Sequence, residues 1–291
     1  MTNHYLIADH LIAIDASPEQ FEVLSNYAPF LVPATGSQSP LFTIYVKTEP
    51  IPSKDGWEHV YTDTSDEDMP RIEMYRNASG WLFCVSMYKE SEIVSAMQCS
   101  DDWSEVQLFM QTQYARFAID NAAMLVYAFA TVDKQTLLFH SSVIVRNNQG
   151  FLFLGHSGTG KSTHSRQWLA AFPDAELLND DNPAVRILAD NSVRVYGTPW
   201  SGKTPCYKNA SAPVAALVQL AQAPANEIKQ LKMTQAYPFI LASVSGLKVL
   251  PQMMDMLYES IAKLLELRPV YKLDCLPDTD AARLCAQTCS L

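Results

Sequence analysis

Residues 155–162 read Gly155-His156-Ser157-Gly158-Thr159-Gly160-Lys161-Ser162, the pattern G-x-x-x-x-G-K-[ST]. Its chemistry is the binding of phosphate. Glycines let the backbone curl until successive N–H groups face one concavity, and a following helix start adds free amide donors and a partial positive charge. In such a loop the lysine, here Lys161, reaches the β- and γ-phosphates, and the hydroxyl of Ser162 completes a magnesium shell. Gly155 through Thr163 is the candidate set for a nucleoside triphosphate, with ATP and Mg²⁺ as the cofactors it implies. A plain Gly/Ser turn is the alternative. The four fixed positions coincide by chance in roughly 1% of chains of this length at ordinary residue frequencies.

The flanks supply the context that the pattern requires. Phe151 to Leu154 is a short apolar run that predicts a buried strand, and the segment from Ser162 past Trp168 and Leu169 to Phe172 predicts a helix. Ala175 to Asn179 predicts another strand, ending in Asp180 and Asp181. Carboxylates at the carboxyl end of a strand stand where open α/β sheets bind ligands. One would hold magnesium and the other accept a proton from a hydroxyl, since neighbouring acids in different environments can divide these roles. The same two residues could also be an ordinary turn. His140, inside the apolar run Leu137 to Val145, reads from its spacing alone as a core histidine more often than as a catalytic one. His164 reads as partly exposed.

The whole chain sets bounds. Its 291 residues suffice for one large or two modest domains, and the net charge of −10 argues against nucleic acid or an anionic membrane as partner. The first residues lack a basic segment and long apolar core, and no apolar run approaches a membrane span; a cytoplasmic protein with reduced thiols is the expectation. The six cysteines form no C-x-x-C pair, and Cys285 and Cys289 share a helix face without a histidine. A homo-oligomer is compatible with all of this.

Residues 1–100 are rich in strand signals: Tyr5 to Ile14, Leu41 to Val46, Ile72 to Tyr75, Trp81 to Met87 and Ile93 to Met97. Asn77 to Gly80 predicts a hairpin turn, and Ser17-Pro18-Glu19-Gln20 a capped helix start. Asp63 to Asp68 reads as a solvated acidic loop. Apolar residues at helical spacing from Ser104 to Val132 predict one long amphipathic helix, broken near Asp120. Beyond the phosphate loop, Val193 to Tyr196, Val214 to Leu220 and Val270 to Leu273 predict strands. Met253 to Leu265 and Thr279 to Cys289 predict helices, the second capped by Asp278. The loop Gly197 to Lys203, leading to Lys208, could offer either lysine to a transferring phosphoryl group. The domain boundary is placed near residue 100, separating a β-rich α+β region (1–100) from a nucleotide-binding domain (101–291).

Three pieces in register carry a family resemblance: Leu138-Phe139-His140-Ser141-Ser142, Leu152 through Thr163, and Leu178-Asn179-Asp180-Asp181. Residues 135 to about 222 resemble the catalytic domain of HPr kinase/phosphorylase. That resemblance implies a mixed α/β sheet carrying a P-loop, of the type shared with ATP-dependent phosphoenolpyruvate carboxykinase. It also implies phosphoryl transfer to a serine hydroxyl of a protein, peptide or small molecule, and it makes His140, Asp180 and Asp181 catalytic candidates beside Lys161. Ser162, Asp180 and Asp181 are the metal candidates. The second reading is a nucleotide-binding sensor that transfers nothing efficiently; a carboxykinase-type lyase is disfavoured, because those enzymes are much longer and use additional basic and metal-binding residues that have no counterpart here.

Overall fold

The computed structural model describes residues 1–33, 38–63, 70–88, 91–202, 204–246 and 248–289. The chain divides into two compact units, Met1–Ala130 and Thr131–Leu291, farther along than the composition change near residue 100.

In the first unit β1 (Thr2–Ile7) and β2 (His10–Asp15) form a hairpin, where the apolar run from Tyr5 suggested one strand. The chain turns at Ala8 and Asp9, both at positive φ (45° and 60°), the conformation of a tight hairpin turn without the usual Asn-Gly signal. A short helix, α1 (Pro18–Glu22), follows, its start closed by Ser17 and Gln20 in reciprocal hydrogen bonds. Then come β3 (Leu31–Val32), β4 (Thr43–Val46), β5 (Glu58–Thr62), β6 (Arg71–Asn77), β7 (Gly80–Ser86), β8 (Ile93–Cys99) and β9 (Glu105–Met110), before α2 (Ala115–Thr131). The nine strands lie in the order β3-β1-β2-β4-β9-β8-β7-β6-β5. At the β6–β7 turn a side chain on Gly80 would place its Cβ 2.2 Å from the Cys99 carbonyl oxygen, so only glycine fits.

The long helix expected from Ser104 is corrected here. Its first part is β9, in which Val106 and Leu108 face inward while Glu105 and Gln107 face out. That strand inserts between β4 and β8, and the α-helix begins only at Ala115, after a 3-10 turn at Thr112–Tyr114. Val106, Phe109 and Met110 fit a helical spacing, whereas Val106, Leu108 and Met110 fit a period of two; over so short a span sheet pairing decides. Phe129 of α2 stacks on Phe83 at 5.7 Å, and the Tyr127 hydroxyl donates to the Ile7 carbonyl.

The second unit contains β10 (Thr136–Leu138), β11 (Ser141–Arg146), β12 (Gln149–Leu154), α3 (Lys161–Ala171), β13 (Glu176–Asn179), β14 (Ala184–Ile187) and β15 (Val193–Tyr196). It continues with β16 (Ser211–Gln222), β17 (Glu227–Gln230), α4 (Met233–Ser243), α5 (Pro251–Leu267), β18 (Val270–Cys275) and α6 (Thr279–Cys289). The sheet runs β10-β14-β15-β16-β12-β11-β13, and β18 pairs with β16 and β17. Pairing is mixed: β12, β16 and β18 are parallel neighbours, whereas β11 is antiparallel to both β12 and β13. The unit is a mixed α/β structure. Trp168 of α3, fully buried, packs with Phe151 and Phe153 of β12 and with the Ala282, Cys285 and Ala286 face of α6. Asp278 caps α6 through the Ala281 amide at 2.8 Å. The six cysteines are all unpaired thiols. Among the described residues no helix is long and apolar enough to cross a membrane. Most of the acidic run Asp63 to Asp68, and Lys203, lie outside the described residues.

Candidate functional site

Topology brings three separated segments to one sheet edge. Because β11 runs antiparallel between β12 and β13, its start lies beside their ends: Ser141 faces Leu154 and Val143 faces Asn179. The residues just outside these strands, His140, Gly155 and Asp180, therefore share one edge. The backbone holds them there. Ser141 N donates to Asp181 O at 2.9 Å, His140 N to Ser243 O at 2.8 Å, and Phe139 N to Pro183 O at 3.0 Å. Ser243 closes α4, a helix interrupted in pattern by Pro238 and not foreseen from sequence.

Residues 155–160 bridge the end of β12 and the start of α3. Gly158 (φ 77°) and Gly160 (φ 105°) occupy the left-handed region, and a Cβ on Gly155 would fall 2.9 Å from Thr159 Cγ2. No side chain caps α3, so its first-turn amides remain available to an anion. His156, Ser157 and Gly158 are exposed; Ser162 and Thr163, in the first turn, are half-buried. Lys161 is buried and donates from Nζ to the carbonyls of Gly155 (2.8 Å) and His156 (3.3 Å). Burial lowers its pKa against the opposing pull of Asp181 and Asp180.

The two aspartates sit in different environments. Asp180 accepts from the Ser142 hydroxyl (2.6 Å) and the Thr204 hydroxyl (2.5 Å), one on each oxygen, and its amide donates to Ser201 Oγ at 3.2 Å. Ser142 also meets Ser165 of α3 at 2.6 Å, tying the helix to the carboxylate. Asp181 has its pKa raised to about 6; burial is the main cause, with Asp180 adding to it and Lys161 opposing. His140 Nε2 stands 3.7 Å from Asp181 Oδ1. Burial, reinforced by Lys161 and His156, lowers the histidine to about 4, so at neutral pH the imidazole is uncharged and the contact is not an ion pair. Fully buried Asn179 fixes the turn. Its Oδ1 accepts from Asp181 N at 2.9 Å, and its Nδ2 donates to Thr198 Oγ1 at 3.2 Å and Trp200 O at 3.3 Å.

The donor set suits a hard cation. Asp180 is ionisable and oriented by two hydroxyls, the outer support that a ligating carboxylate needs. Among the described residues no three His, Cys, Asp or Glu side chains cluster to hold a metal by themselves. Magnesium in phosphate sites takes one or two carboxylates and completes its shell with phosphate and water.

Beside the loop, where β16 and β18 end, lies a cavity of about 610 Å³ lined by residues that include Gly158, Gly160, Thr163, His164, Leu276 and Pro277. His164, early in α3, is buried and not partly exposed as expected, because its ring packs in a T-shaped contact with Phe153.

No protein-family model matches this chain, and no curated protein matches it. Among solved structures, the Hpr(Ser) kinase/phosphatase from Coxiella burnetii is distantly similar. The match covers 52% of this chain and 91% of that one, at 12% identity and a TM-score of 0.28. Overlap at that score places no residue, so the roles assigned below rest on the site's own geometry.

Several site residues carry no sequence signal of their own. Ser142, Ser165 and Thr204 are common hydroxyls whose partners lie 23 to 38 residues away. Gly202 (φ 57°) packs its Cα so closely that an added Cβ would lie 2.9 Å from Asp181 Cβ. Lys208, offered from sequence to a phosphoryl group, instead pairs with Glu176 at 3.1 Å, at the far end of β13 from the aspartates.

Proposed function

We propose that the Thr131–Leu291 unit is an ATP- and Mg²⁺-dependent phosphotransferase whose acceptor is a hydroxyl, of the serine type that the sequence resemblance implies. The loop amides of Gly155–Thr163 would hold the phosphates, and Lys161 would leave its two carbonyls to meet the β/γ-phosphates. Ser162 and Asp180 would hold the magnesium ion, which neutralises phosphate charge. Asp181 would take the acceptor hydroxyl's proton as that oxygen bonds to the γ-phosphorus and ADP departs with the electron pair of the broken bond. Neutral His140 would orient Asp181 and the transferring group. Positioning and charge neutralisation would supply most of the acceleration.

One observation carries this reading: a carboxylate with pKa near 6 stands beside an uncharged imidazole at the sheet edge that carries the glycine loop. A sensor that only binds nucleotide needs the loop but has no use for a poised base. With γ-labelled ATP, Mg²⁺ and a fractionated lysate, wild type should yield a labelled hydroxyl product identified by mass. Asp181→Asn should lower transfer by about 10²–10⁴-fold with ATP affinity retained. ATP binding without any labelled product in wild type would replace the kinase with the sensor.

A further inference from the structure

Near the phosphate loop, one buried histidine is locked into a single tautomer. The Trp168 indole Nε1–H donates to His164 Nε2 at 3.0 Å. An indole can only donate, so Nε2 must accept and the ring proton resides on Nδ1. Because Nε2 carries no proton in this bond, the ring is neutral. Its edge contact with Phe153, at 4.6 Å between ring centres, fixes the plane. The ring thus retains one polar group, the Nδ1–H donor, and the ring lines the 610 Å³ cavity.

That cavity begins at Gly158–Gly160 and Thr163, where a bound phosphate chain would end, and continues between Leu220, Leu276 and Pro277. Its volume is that of a small-molecule site, and its apolar walls with few polar groups match the faces of a flat heterocycle. Gln222 ties its wall to the loop, donating to Gly158 O at 3.3 Å, so the distance from phosphate cradle to cavity is set. We propose that this cavity takes the sugar and base of the nucleotide, with His164 donating from Nδ1 to an acceptor on that nucleoside as a specificity-determining contact. This rests on the phosphate-binding role assigned to the loop above.

The test compares full-length protein binding to ATP and to inorganic tripolyphosphate, which carries the phosphates without the nucleoside. Wild type should favour ATP by about tenfold or more. His164→Phe, which keeps a ring against Phe153 but loses the donor, should shrink that preference severalfold with tripolyphosphate binding unchanged. Leu276→Trp, on a partly exposed wall where folding is not at stake, should shrink it further by filling the cavity. An ATP preference unchanged in both variants, or absent in wild type while tripolyphosphate binds, overturns the nucleoside site and leaves the loop's role intact. If neither ligand binds wild type, the loop's role falls, and this assignment with it.

Discussion

Two partly buried carboxylates, one in each unit, show the same physics resolved in opposite directions. In the first unit burial alone would raise the pKa of Glu73, but Lys54, the Tyr75 hydroxyl (2.7 Å) and Arg71 (2.6 Å) outweigh it, and the carboxyl ends below its ordinary value. In the second unit Asp181 meets a neutral histidine and a lysine engaged by carbonyls, and burial wins. Glu73 has its charge matched by neighbours and serves the fold. Asp181 is left short of compensation, the condition in which a carboxylate accepts a proton near neutrality. The buried polar side chains divide similarly: among the described residues of the first unit they are Asn26, Ser86 and Ser95, whereas those of the second include Ser142, Lys161, His164, Ser165, Asn179 and Ser201, around one edge.

The largest expected effect comes from removing the cation at that edge. Lys161→Ala should weaken ATP binding by about 100-fold, measured by calorimetry. Glu73→Gln should leave binding unchanged and cost about 1–2 kcal/mol in denaturant unfolding. A Glu73→Gln protein with impaired ATP binding would break the division of labour.

The pH responses should differ in sign. Asp181 must be ionised to accept a proton, so kcat/KM for transfer should fall on the acid side of an inflection near pH 6, by about tenfold per unit. For folding, the ionised form is the disfavoured one, so its contribution to stability declines as pH rises from the ordinary aspartate range through about 6. Glu73 does the reverse: its stabilisation is present above the ordinary glutamate value and is lost as pH falls through its lowered one. Asp181→Asn should erase the acid limb of kcat/KM in whatever activity remains.

The smallest effect tests packing alone. Gly202→Ala adds a methyl group against Asp181 at a positive φ, and should cost about 1–2 kcal/mol in unfolding and several-fold in transfer with ATP affinity kept. Unchanged turnover would mean that the position of Asp181 is not critical.

The strand Gln149–Leu154, the glycine loop and α3 were legible because each has a local signature: an aromatic-rich apolar run, left-handed glycines and a loss of breakers. The strand ending in Asp180 and Asp181 was legible for the same reason. What decides their chemistry was not. The bond from Thr204 to Asp180 and the approach of Gly202 to Asp181 depend on how a loop folds back over 21 to 24 residues, which no local pattern encodes. The burial of His164 depends on Phe153 and Trp168 flanking it. Residues 104–114 misled because a short strand buried on both faces at Leu108 and Phe109 mimics a helical face.

One consequence follows from β11 being clasped on both sides. Side chains in a strand alternate faces, so deleting or inserting a single residue within 141–146 would reverse every side chain beyond the change relative to both β12 and β13. Ser142 would then turn away from Asp180, and His140 would lose its place before the strand. The turn at 188–192, held by local bonds between Leu188, Asp190 and Ser192, has no such double constraint. Length variation among descendants of this chain should therefore collect in that turn and spare β11.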